Sequence, residues 1–140
     1  MRTVARILLY VMNAGLILLG IAGLLAPAWD LEQQLRISSL GQLTPADYTA
    51  LLVHWRYLKG FVIGVGIYGF WKREQILRPG PENTFYLMTL ALAATGRVLG
   101  LIFDGRPPAL VAFALAPYEI IAPILIYLGT RRAPAPRAGV

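Results

Sequence analysis

The chain has 140 residues, of which 57% are hydrophobic and 14% charged, and its mean hydropathy is +0.61. A water-soluble domain of this length carries more polar surface, so the composition predicts a single domain integrated in a membrane. The absence of cysteine excludes disulfides and thiolate chemistry, and the presence of one histidine disfavours a zinc or haem site. We therefore expect neither a metal nor a cofactor.

The basic residues of this chain bracket its apolar segments. The net charge is +6, but no aromatic platform accompanies the basic residues in the polar connections. This pattern is typical of topology determinants beside anionic lipid, so we expect the lipid bilayer as a partner and no nucleic acid.

Four apolar segments are long enough to cross a hydrocarbon layer of about 30 Å. They cover residues 5–26, 51–71, 85–103 and 109–128. The first segment also resembles a signal peptide, with a cleavage-like Ala26-Pro27-Ala28, but its apolar run is longer than usual and we interpret it as a span. Residues 131–140 form a basic, proline-rich tail that we expect to be mobile.

The distribution of lysine and arginine predicts the orientation of these spans. The N-terminus, the second connection and the tail are basic, whereas Arg36 and Arg106 are the basic residues of the first and third connections. Both termini are therefore predicted to face the cytoplasm. In the first connection, Leu31 and Leu35 recur at helical spacing, which predicts a short amphipathic helix at the membrane surface.

The second long helix has a start signal in its sequence. Thr44 suits the N-cap, Pro45 the first helical position and Asp47 the third. We therefore expect this helix to begin before its chain enters the lipid.

Two glycine pairs have a spacing of four residues and give their helices small faces. Small faces allow close helix approach within a bundle or across a dimer interface, and we favour the bundle. The two pairs are Gly60 with Gly64 and Gly96 with Gly100.

Several polar residues lie within or at the end of the spans. An isolated charge there costs about 3 kcal/mol or more, so such groups should face the bundle interior. Depth and helical phase predict that the cations of the second span face the acids of the third and fourth, with Arg97 between them. The set is Asn13, Arg56, Lys59, Arg97, Asp104 and Glu119.

This cluster contains three cations and two acids, which leaves two interpretations open. Either the groups satisfy one another, with Lys59 extending outward, or an anionic lipid or other carboxylate or phosphate amphiphile completes the set. Pro117 and Pro123 each remove a backbone hydrogen bond next to Glu119. The resulting break either lines a cavity around this acid or only bends the helix.

The segments "GRVLGLIFDGRPP" and "YEIIAPILIYL" carry a resemblance to a known family. A Gly-Arg pair, an Asp-Gly turn and a glutamate in an apolar last helix resemble the bacterial domain-of-unknown-function family 4345. The resemblance extends from the first span to Leu128 and carries over onto Arg97, Asp104, Gly105 and Glu119. It implies small four-helix integral membrane proteins of the bacterial inner membrane, and it implies no activity.

Three functional hypotheses follow from the sequence. We favour an all-α, four-helix membrane bundle that is not catalytic and acts as a structural, accessory or oligomeric component, alone or in a larger membrane complex. The alternative is a binder or carrier of an anionic lipid that enters from the outer leaflet. A third hypothesis is a lipid-modifying enzyme with Glu119 in proton transfer, although no nucleophile and base pair is visible.

Overall fold

The computed structural model describes residues 2–35, 40–103 and 116–131. Within these ranges the chain is all-α, as predicted, with six α-helices, one 3-10 turn at Leu40–Gln42 and no strand. The helices are α1 (Arg2–Leu25), α2 (Pro27–Leu35), α3 (Pro45–Trp71), α4 (Arg73–Ile76), α5 (Pro81–Phe103) and α6 (Ala116–Arg131). Asp104, the first part of the predicted fourth span and residues 132–140 lie outside the described residues.

The start of α3 agrees with its sequence signal. The backbone N–H of Asp47 donates to Oγ1 of Thr44 over 3.2 Å, and the Thr44 hydroxyl donates to Oδ2 of Asp47 over 2.6 Å. Pro45 occupies the first helical position, where its missing N–H costs no hydrogen bond. The short helix predicted for the first connection is α2.

Two of the described helices, α1 and α3, are long and apolar enough to cross a membrane, by length and composition. They also make the most extensive helix contact of the structure. On its other side α1 packs against α6, and α6 in turn packs against α5. The spatial order is therefore α3, α1, α6, α5, and α3 and α5 barely touch across the remaining side.

The apolar core lies at the end of the molecule where α1 begins and α3 ends. The short α4 contributes the buried Ile76, and Leu77, which follows it, is buried as well. The Asn83 amide closes the next turn by donating to the Ile76 carbonyl over 2.6 Å. This hydrogen bond occupies a buried polar group that would otherwise destabilise the core. The core residues are Ala5, Leu9, Met12, Ile76, Leu77, Tyr86, Leu90, Ala122 and Ile126.

Glycines three residues apart allow α1 and α3 to approach closely. On α1, a Cβ at Gly23 would lie 2.5 Å from Cγ of Lys59. On α3, a Cβ at Gly66 would lie 2.8 Å from Cγ1 of Ile17, and one at Gly69 would overlap the Asn13 amide. Larger residues at these positions would force the two helices apart.

The glycines that the sequence singled out have a different environment. No described heavy atom lies within 4 Å of the position that a Cβ would take at Gly60, Gly64 or Gly96, so these three make no close helix contact there. Gly100 is half-buried. We expected close helix contact at glycines four residues apart. The close contact between α1 and α3 is instead made by Gly20 and Gly23 and by Gly66 and Gly69, which are three residues apart.

We predict opposite effects for alanine at two glycines of α3. Gly69→Ala should lower the free energy of unfolding by about 1–3 kcal/mol, because its methyl group displaces the buried Asn13 side chain. Gly64→Ala should leave that energy unchanged or raise it by up to about 1 kcal/mol, because the site is open and alanine favours helix. Thermal unfolding of both variants in the same detergent measures the difference, and equal melting temperatures would contradict it.

Candidate functional site

An acid, a cation and an indole form the most buried ion-pair contact between described helices. Nζ of Lys59 lies 2.7 Å from Oδ2 of Asp30, and the two side chains are 6% and 4% exposed. The indole N–H of Trp55 donates to the same carboxylate oxygen over 2.7 Å, and Nζ of Lys59 also lies 4.7 Å from the centre of the indole ring. These three residues are called the Asp30 cluster below.

The turn between α1 and α2 brings Asp30 to α3. The chain breaks at Ala26, restarts at Pro27 and places Asp30 in the first turn of α2. Gly23 leaves the space, because a Cβ there would lie 2.6 Å from Cδ of Lys59 and 2.7 Å from Oδ2 of Asp30. A carboxylate in the first turn of a helix also interacts favourably with the helix dipole.

The Asp30 cluster corrects one prediction. We expected Lys59 to face Asp104 and Glu119. The structure pairs Lys59 with Asp30 and Glu119 with Arg97, and Asp104 lies outside the described residues. The prediction was wrong because it treated the first connection as a surface segment and did not include its acid among the partners of the spans.

The second buried ion pair joins α5 to α6. The Arg97 guanidinium donates from Nε to Oε2 of Glu119 and from Nη2 to Oε1 over 2.9 Å. Two parallel charge-assisted hydrogen bonds fix the relative position of the two helices better than a single contact does. The side chains are 33% and 27% exposed, so this pair is less buried than the Asp30 cluster.

A third polar contact lies deeper between α1 and α5. Asn13 is fully buried and its Oδ1 accepts a hydrogen bond of 2.6 Å from the Tyr86 hydroxyl. Within the described part of the chain, Nδ2 of Asn13 has no hydrogen-bond partner. An unmet buried donor costs about 1–3 kcal/mol, so the amide is held here by its packing against Gly69 as well as by Tyr86.

Arg56 is the cation of the predicted cluster for which the structure gives no acidic partner. It is exposed on α3, and no carboxylate in the described ranges lies within 4.0 Å of it. The described ion pairs join Lys59 to Asp30, Arg97 to Glu119 and, at the opposite end of α3, Arg6 to Glu74 at 4.0 Å. Asp30 adds a third acid to the predicted set, and Asp104, the acid of that set that remains, lies outside the described residues.

An apolar groove occupies the open side between α3 and α5. Its volume is about 430 Å³, and it is lined by Gly60, Phe61, Gly64 and Tyr68 on α3 and by Phe85 and Thr89 on α5. The rings of Tyr68 and Phe85 meet edge to face at 5.7 Å and close one end. Gly60 and Gly64, which are four residues apart, thus line an opening. From the sequence we considered a cavity beside Glu119, but Glu119 does not line this groove.

Sequence reasoning missed Asp30, Trp55 and Tyr86 as partners of the polar groups that it identified. The available signals were an acid one turn after Pro27 and glycines at positions 20, 23, 66 and 69, three residues apart on both contacting helices. The described residues contain no group of three or more histidine, aspartate and glutamate side chains placed to hold a metal ion. The interactions described above are ion pairs, hydrogen bonds and apolar contacts.

Comparison with known proteins shows the family. No curated protein and no solved structure matches the chain significantly. A family model described as a domain of unknown function, DUF4345, matches residues 4–130, which include all the contacts above. The chain therefore belongs to the DUF4345 family.

Proposed function

We propose that this chain is a multi-pass protein of the bacterial cytoplasmic membrane and a non-catalytic structural or accessory component, built as a four-span bundle with both termini in the cytoplasm. The observation that carries the proposal is that two cations on its apolar helices, Lys59 and Arg97, are paired with acids of neighbouring helices. Charges used in this way hold helices in place, and each of the two acids, Asp30 and Glu119, is engaged by a cation.

Exposed apolar side chains support membrane insertion. Large side chains of α1, α3, α5 and α6 face outward, including Leu18 at 68%, Phe61 at 61%, Leu92 at 69% and Ile124 at 52% exposure. Apolar surface on every long helix exceeds what a soluble monomer tolerates, whereas in lipid it carries no penalty.

The charge distribution supports the orientation. The Arg6–Glu74 contact brings the start of α1 to the end of α3, where Lys72 and Arg73 also lie. The core joins α6 to the same end of the molecule, so Arg131 lies there as well. Basic residues collected at one end favour that end as the cytoplasmic one.

The geometry of Glu119 favours a structural carboxylate over a proton-transfer group. Both of its oxygens accept hydrogen bonds from Arg97. A lipid-modifying enzyme therefore has less support than the structural role. An anion-binding role, the second candidate, has one observation in its favour: Arg56 has no carboxylate within 4.0 Å among the described residues. This role is developed in the next subsection.

The orientation can be tested by cysteine labelling, because the chain has no cysteine of its own. We expect Gln42→Cys, between α2 and α3, to react with a membrane-impermeant maleimide in spheroplasts. Gln75→Cys, in α4, should react only after lysis. Both side chains are exposed, so access to the reagent decides the result. Equal labelling of both variants before lysis, or extraction of the protein by alkaline carbonate, would refute the proposed insertion.

The structural role of the Asp30 cluster can be measured with a double-mutant cycle. Asp30→Ala and Lys59→Ala should each destabilise the fold by about 3–5 kcal/mol, because each leaves a buried charge without its partner. The double variant should be less destabilised than the sum by more than about 1 kcal/mol. Glu32→Ala, an exposed acid of the same helix, is the control, and additive single effects would contradict the pairing.

A second variant pair separates ion pairing from proton transfer at Glu119. Glu119→Gln retains the shape of the side chain but removes its charge, so Arg97 should lose its partner and the melting temperature should fall. The exchange Arg97→Glu with Glu119→Arg should restore part of that loss, because a reversed pair is still a pair. An unchanged melting temperature for Glu119→Gln would contradict a structural role for Glu119.

A further inference from the structure

We propose that the groove between α3 and α5 binds one acyl chain of an anionic phospholipid, whose phosphate is held by Arg56. The inference rests on the proposed membrane insertion and extends it, because it assigns a ligand class and a site to the open side of the bundle. Its evidence is the shape of the groove, the surface that lines it, and the position of Arg56, which has no acidic partner among the described residues.

The dimensions of the groove fit an acyl chain better than a helix. From Gly60 to Tyr68 the wall on α3 is roughly 12 Å long at 1.5 Å per residue. The groove holds about 430 Å³ over that length, whereas a helix with its side chains is about 10–12 Å across. A second copy of this chain could cover the groove but could not fill it.

The lining of the groove selects an apolar occupant. Phe61 and Val65 line it on α3, and Phe85 lines it on α5. The Thr89 hydroxyl is engaged with the Phe85 carbonyl and the Tyr86 hydroxyl with Asn13, over 3.0 and 2.6 Å. The hydrogens of these two hydroxyls are therefore already used within the protein.

The positive charge of Arg56 complements the negative charge of a lipid phosphate. Arg56 precedes Gly60 by four residues, so it lies about one turn beyond the glycine end of the groove and about 40° around α3 from Gly60. The other lining residues of α3 lie about 80–180° from it, so the long Arg56 side chain reaches a headgroup above the groove by bending toward that end. The opposite end is the one closed by Tyr68 and Phe85. From Arg56 to Tyr68 the distance along α3 is roughly 18 Å, comparable to the roughly 15 Å of hydrocarbon in one leaflet.

Lys59 and Arg97 are already paired with acids, so the phosphate is assigned to Arg56. Lys59 is already paired with Asp30, and both side chains are more than nine-tenths buried. Both Nε and Nη2 of Arg97 are engaged by Glu119. A planar guanidinium binds phosphate oxygens through two parallel hydrogen bonds, which gives Arg56 the chemistry to prefer an anionic headgroup.

Native mass spectrometry of the full chain tests the site with defined lipids. Detergent-solubilised protein is titrated with dioleoyl phosphatidylglycerol and, separately, with dioleoyl phosphatidylcholine. We expect one retained phosphatidylglycerol for each chain and at least fivefold weaker retention of phosphatidylcholine. Arg56→Gln should remove this preference, whereas Arg78→Gln, an exposed arginine of the second connection, should retain it within twofold.

A matched glycine pair tests whether the acyl chain lies in the groove. Gly64→Leu fills the groove and should lower lipid retention at least fivefold. Gly15→Leu, at a glycine of α1 that also has open space around it, should change retention less than twofold. Thr89→Phe narrows the groove from α5 and should repeat the loss if Gly64→Leu does not fold.

Equal losses in Gly64→Leu and Gly15→Leu would overturn the proposal. So would a dimer without bound lipid that Gly64→Leu converts to monomer, because a second copy would then cover the groove. The labelling of Gln42→Cys and Gln75→Cys reports membrane insertion separately. Correct labelling without lipid retention would refute this site alone, whereas incorrect labelling would refute the proposed function.

Discussion

The close approach of α1 and α3 is the constraint on which the rest of the structure depends. Glycines at positions 20, 23, 66 and 69 remove the side chains that would separate the two helices. This contact brings Lys59 opposite Gly23, which leaves the space in which Asp30 reaches Lys59 from α2. Near the middle of α1 it places Asn13 against Gly69 and within hydrogen-bonding distance of Tyr86. Helix contact and polar pairing therefore depend on the same few glycines.

The polar contacts determine which helices are neighbours, whereas apolar contact alone would not. In lipid the apolar faces of the helices have little preference for one another over acyl chains, so packing and polar pairing decide the arrangement. Sliding α1 along α3 by one turn would separate Asp30 from Lys59 and leave two buried charges unpaired. The same argument holds for α5 and α6 through Arg97 and Glu119, although that pair is more exposed.

Local signals in the sequence were sufficient to predict the helices. The contacts between residues that are far apart in the sequence could not be predicted in the same way. Thr44, Pro45 and Asp47 specify where α3 begins, and apolar length specifies α1 and α3. Helical depth brings Arg97 and Glu119 to similar levels, where the ion pair lies. Asp30 could not be assigned to Lys59 in the same way, because the direction of α2 depends on the turn after α1.

The same limit applies to the glycines. A four-residue spacing defines a small face on one helix, but it does not say what covers that face. Gly60 and Gly64 line an opening because the facing helix, α5, is held by α6 and lies too far away to fill it. Which small face is covered depends on the order of the helices, and a single sequence does not provide that order.

The unequal burial of the two ion pairs indicates where the molecule can move at least cost. The pair between α2 and α3 is 6% and 4% exposed, and the glycine contact reinforces it. The described polar and aromatic contacts of α5 with the other long helices are its ion pair to Glu119, the Tyr86–Asn13 hydrogen bond and the Tyr68–Phe85 edge contact. Two of these contacts lie in the half of α5 that is closer to the core, and the ion pair lies in the half that carries Arg97; residues 104–115, which follow that half, lie outside the described residues. Displacement of that half away from α3 would widen the groove at its Arg56 end and leave the contact between α1 and α3 intact.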